Sequence, residues 1–81
     1  MKATEALRDI KTKKGLGLTE MAYMLGWKTD SSGIAIRRVN DRLHQENISI
    51  SRMDELLRVM GYKIILMPVT TKEAPDWYKV E

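Results

Sequence analysis

Apolar residues recur at helical intervals through most of the chain and then change period near its carboxyl end. Ala3, Leu7 and Ile10 lie on one stripe that continues to Lys14, with Ala6 beside it, which predicts a helix from Thr4 to about Lys13. Thr4 is its cap candidate, Glu5 suits the positive end of the helix dipole, and Lys11, Lys13 and Lys14 suit the other end before Gly15 and Gly17 stop it. Leu18, Met21, Ala22 and Leu25 form a second stripe, for a helix from about Thr19 to Leu25 that ends at Gly26. A third helix is expected from Ser31 or Ser32 to about Gln45, with Ile36, Val39 and Leu43 facing inward. Ser51, with Asp54 three residues on, resembles a capping box for a fourth helix whose apolar face is Met53, Leu56, Leu57 and Met60, closed by Gly61.

The period then changes. Tyr62, Lys63, Ile64, Ile65, Leu66 and Met67 are rich in aromatic and β-branched residues and end at Pro68, so residues 62–68 read as a strand. No second segment of similar quality exists in the chain. A lone apolar strand leaves both backbone edges unpaired. Two arrangements would satisfy it: a weak hairpin with the tail from Val69 to Lys79, or pairing with the same strand of a second copy across a two-fold axis. The second is preferred, with Tyr62, Ile64, Ile65, Leu66 and Met67 at the dimer interface, because it also enlarges a small core. The rest, residues 70–81, is a polar tail with Pro75 and a Trp77–Tyr78 pair.

The chain has 81 residues, enough for one domain with a modest core. It has no cysteine and one histidine, His44, so neither a thiolate site nor a multi-histidine zinc site is available within one copy. No clustered acid, base or nucleophile and no glycine-rich phosphate loop is present, so no enzymatic activity and no cofactor are expected. No run is apolar enough to span a membrane and no signal segment is evident, so a cytoplasmic protein without membrane contact is expected. The net charge is +3, and twelve of the fourteen Lys and Arg lie in residues 1–63 with eight of the eleven Asp and Glu. The basic excess therefore falls on the helical part.

A short helix, a polar turn and a second helix carrying arginines make the layout of a helix-turn-helix, whose second helix enters the major groove of DNA. With Ile36 at the centre of the buried face, Ile34, Arg38, Asp41, Gln45 and Ser31 fall on the opposite side and Arg37 and Arg42 flank it. Arginine can fork onto guanine and isoleucine can touch a thymine methyl. If the helix starts later, Ile34 packs inward instead. Ser31, Ser32 and Gly33 sit where a helix terminus can meet phosphate, one serine serving as cap, and Lys28, Thr29, Lys13 and Lys14 are further phosphate candidates. Trp27, just after the glycine, is expected to wedge between the two helices.

This stretch resembles the Cro and Xre type of helix-turn-helix repressor domain of phages and bacteria. Leu18, Met21, Ala22, Leu25 and Gly26 match the scaffold helix, Ile36, Val39 and Leu43 match the inward positions of the recognition helix, and the likeness covers roughly Ala3 to Met60. The turn from Lys28 to Gly33 is longer than the family's, Leu18 with Thr19 stands where the family carries a glutamine, and the strand replaces a fifth helix. The resemblance implies a mainly α fold: a four-helix, lambda-repressor-like domain over residues 1–69, ending in a strand paired in a dimer. It also implies a repressor or autoregulator of transcription that binds a near-palindromic operator on double-stranded DNA as a homodimer, encoded by a phage, a mobile element or a toxin–antitoxin operon and acting in a bacterial or phage-infected cell. The competing reading is a protein-interaction module on the same scaffold, an antitoxin or phage-encoded inhibitor, with Trp77 and Tyr78 gripping a protein partner.

Overall fold

The computed structural model describes residues 1–27, 33–72 and 74–80. Four helices follow one another: α1 (Ala3–Lys14), α2 (Leu18–Met24), α3 (Ile34–Leu43) and α4 (Ile50–Val59). The stripes place them. Leu7 and Ile10 of α1, Met21 and Ala22 of α2, Ala35, Val39 and Leu43 of α3, and Leu56 and Leu57 of α4 converge with Met60 in one buried cluster. Each large side chain removed from water there contributes about 1.5–3 kcal/mol. α3 packs on both α2 and α1, and α4 packs on α1. α3 is thus held across the bundle with one side left to solvent.

The helix ends follow a shared rule. Gly26 has φ +76°, a left-handed conformation that costs glycine no steric penalty, and its N–H reaches the Tyr23 carbonyl. The next N–H, that of Trp27, returns to the Ala22 carbonyl at 2.9 Å. Gly61 does the same after α4, where the Tyr62 N–H reaches the Leu57 carbonyl at 2.9 Å. This closure turns the residue after the glycine back toward the bundle, so Trp27 and Tyr62 pack against the core.

The helix starts differ from the expected caps. Thr4 is buried inside α1, whose N-cap is Lys2. Thr19 lies inside α2, whose N-cap is Gly17, with the Gly17 N–H donating to the Glu20 carboxylate at 3.1 Å. Ser49 rather than Ser51 caps α4, accepting from the Arg52 N–H at 3.2 Å, and Asp54 pairs with Arg58 instead. In α1 Thr4 is itself buried within the first turn, and in α4 Ser49, two residues before Ser51, supplies the cap while Ile50 of the first turn stays exposed.

The expected strand at 62–68 is absent: the described residues contain no strand. Burial nevertheless alternates over the first four residues. Tyr62 and Ile64 are half-buried against the core while Lys63 and Ile65 face water. Beyond them Leu66 is 96% exposed. A single copy supplies no partner edge, so no ladder forms. The tail returns to the bundle at Tyr78, whose ring meets that of Tyr62 edge-on at 6.0 Å. The radius of gyration, 13.6 Å, exceeds the roughly 12 Å of a compact chain this long, as befits a segment that stands off the core.

Candidate nucleic-acid interface

The outward side of α3 follows from which residues its neighbours bury. Ala35, Val39 and Leu43 are buried, Arg42 is half-buried, and Ile36 is only partly covered. The inward direction is therefore centred on Val39, about 60° from the expected centre at Ile36. Ala22 on α2 and Ala35 on α3 are both buried, and small side chains let packed helices approach closely. The rotation brings Arg37 to the middle of the outward face, with Asp41 and Ile34 beside it and Arg38 at its edge. Arg37, Arg38, Asp41 and Ile34 are all exposed, Ile34 at 58%, so Ile34 does not join the core.

Arg42 is placed otherwise than expected. Its side chain is 17% exposed and its Nη1 donates to the Glu55 carboxylate of α4 at 2.7 Å. Its guanidinium also lies over the Trp27 ring, 4.4 Å from the centroid, and that of Arg38 lies 5.2 Å from the same centroid. Arg42 thus joins α3 to α4 and is not part of the outward face. Trp27 sits against the core at the end of α2, as its place after Gly26 suggested, and in addition carries two arginines.

Two further contacts fix α3. The Arg8 guanidinium donates to the Leu43 carbonyl at 2.8 Å and satisfies one of the open carbonyls at the end of the helix. The Arg52 Nη1 donates to Gln45 Oε1 at 3.4 Å. Arg38, Asp41, Arg42, Gln45 and Arg52 line a shallow cleft between the outer half of α3 and the start of α4. Arg8, Arg52 and Glu55 carried no local signal of these roles: Arg8 and Leu43 are 35 positions apart, and Arg42 and Glu55 are 13 apart.

Of the other expected DNA contacts, Lys28, Thr29, Ser31 and Ser32 lie outside the described residues. Gly33 is the N-cap of α3 with φ +70°. Nothing stands within 4 Å of where a Cβ would be, so the left-handed backbone, rather than a close approach, accounts for glycine there. Lys13 and Lys14 point elsewhere: Lys13 pairs with Asp9 at 3.1 Å and lies over the Tyr78 ring, and Lys14 lies over the Tyr62 ring.

The tail makes the second cluster. The Tyr78 hydroxyl donates to the Asp9 carboxylate, and the amino terminus of Met1 donates to the Lys79 carbonyl at 3.1 Å. The Tyr78 hydroxyl and then Lys13 hold the Asp9 carboxyl below its ordinary 3.8. The hydrogen bond to Asp9 pushes the Tyr78 phenol above 10.0. Lys13 is also pushed up, by Tyr78 first and Asp9 second. The expected dimer residues divide: Tyr62 and Ile64 pack on their own core, Met67 is half-buried, and Ile65 and Leu66 are exposed. Among the described residues no helix is long and apolar enough to cross a membrane. Comparisons with protein-family models, curated proteins and solved structures gave no match.

Proposed function

We propose that this protein is a dimeric, sequence-specific DNA-binding regulator of the Cro and Xre type, a repressor or autoregulator that presents α3 to the major groove. The observation that carries this reading is the outward face of α3. Arg37, Arg38 and Ile34 are exposed together on a helix whose opposite side is locked into the core by Ala35, Val39 and Leu43. Two arginines and one isoleucine offer guanine forks and a thymine-methyl contact within one helix width. The second copy would engage the segment from Ile65 to Val69, whose apolar side chains are exposed except for half-buried Met67. Of the two aromatics the competing reading uses, Tyr78 is occupied on α1, while Trp77 remains exposed.

Selection of bound sites from random duplex DNA tests the proposal. The expected result is an enriched near-palindromic site with half-sites ~34 Å apart. Its affinity should fall steeply with added salt as phosphate counterions are released. Failure to enrich any duplex, together with no retention of DNA at low salt, would overturn the reading.

A further inference from the structure

The stack of two arginines on Trp27 is not explained by core packing alone. Three elements hold the indole. The backbone N–H of Trp27 closes α2 on the Ala22 carbonyl, and the ring packs against the buried cluster. On the ring, Arg42 is tied to α4 through Glu55 at 2.7 Å. Arg42 is thereby held over the indole from one side by α4. The Arg38 guanidinium lies over the same ring, 5.2 Å from its centroid, one turn before Arg42 on the same row of α3. Two cations over one ring repel each other, and the Glu55 carboxylate offsets the charge of Arg42.

An exposed arginine normally samples many rotamers and loses that freedom when it binds. A planar guanidinium resting on an indole has lost much of it already in the free protein. Arg38 also stands where orientation matters, between the outward face bearing Arg37 and the cleft lined by Gln45 and Arg52.

We infer that Trp27 is a positioning residue for DNA contact, its indole holding the Arg38 guanidinium at the edge of the outward face of α3. The inference rests on the DNA-binding reading above. Trp27 touches no DNA in this role and acts through Arg38.

A double-mutant cycle on a duplex obtained by selection tests it, using the full chain. In the parent, Trp27→Leu should weaken binding about three- to five-fold, the size of a lost cation–π contact. In the Arg38→Ala background the same substitution should change affinity by less than about two-fold, because the group through which Trp27 acts is gone. Trp27→Phe keeps a ring face of lower cation affinity and should give a smaller loss; it replaces Trp27→Leu in the cycle if the leucine variant does not fold. In the free protein, Arg38→Ala should move the indole N–H resonance of Trp27 and leave that of Trp77 in place. Equal losses in the two backgrounds, or an unmoved Trp27 resonance, would overturn the inference and leave the DNA reading standing. A parent that binds no duplex overturns both.

Discussion

The phenol of Tyr78 donates its hydrogen bond to the carboxylate of Asp9, 69 residues earlier in the chain. That contact, with Lys13 beside it and Tyr62 against the ring, docks the tail on α1. Its pH dependence follows from the directions of the shifts. Asp9 is lowered, so its contribution is present above its ordinary 3.8 and disappears as pH falls through the lower folded value. Tyr78 is raised, so its contribution is present below 10.0 and disappears as pH rises through the raised value. The raised Lys13 acts in the same sense as Tyr78. Docking should be undiminished from about pH 4 to about pH 10 and weaken progressively beyond it, as pH falls through the lowered value of Asp9 or rises through the raised value of Tyr78. Amide chemical shifts of residues 74–80, followed against pH, report docking directly. Tyr78→Phe should move those shifts to their undocked values at neutral pH with helical circular dichroism unchanged.

Arg37 and Arg42 should separate cleanly despite being five residues apart. Arg37→Ala lies on the open face and should alter stability by no more than about 0.5 kcal/mol. It should cost roughly 1–3 kcal/mol of binding and relax preference at one base pair. Arg42→Ala removes the bond to Glu55 and the cover on Trp27 and should cost on the order of 1 kcal/mol of stability. Thermal melts and titrations of both variants check this; equal effects on stability would place Arg37 wrongly.

Ile34→Ala should likewise spare the fold, because the side chain is 58% exposed. The variant should bind a site in which uracil replaces thymine as well as it binds the original, whereas the parent should prefer the methylated base at one position. Leu56→Ala is the contrast, since Leu56 is fully buried and should cost about 2–5 kcal/mol.

Assembly depends on the segment after Tyr62. Ile65 is exposed and belongs to no helix, so Ile65→Pro should leave the helices intact. It removes a backbone donor that a partner strand would need and should abolish the dimer and sharply reduce DNA affinity. Light scattering across a concentration series reads the outcome. A parent that is monomeric at micromolar concentration would contradict the proposed pairing.

The helices were legible because their signals are local. The spacing of Leu7 and Ile10, of Met21 and Ala22, and of Leu56, Leu57 and Met60 determined which faces are buried, and Gly15, Gly26 and Gly61 marked the ends. Their starts were read less well. A hydroxyl such as Thr4 or Ser51 is a competent cap in isolation, but Thr4 is buried within α1 and Ser49 takes the cap of α4.

The sequence by itself determined a small helical chain in which a basic helix follows a glycine-ended one. Only the tertiary structure decided which way that basic helix faces. Its rotation depends on Ala35 and Ala22 meeting the bundle, a matter of packing volume between helices rather than of periodicity within one. Tertiary structure alone also moved Arg42 from the open face to a bridge with Glu55, placed Arg38 on Trp27 and laid Tyr78 on Asp9. Each of these pairs is far enough apart in the chain that no repeat or spacing brings its members together. Only burial of the shared core fixes the helices closely enough for such side chains to meet.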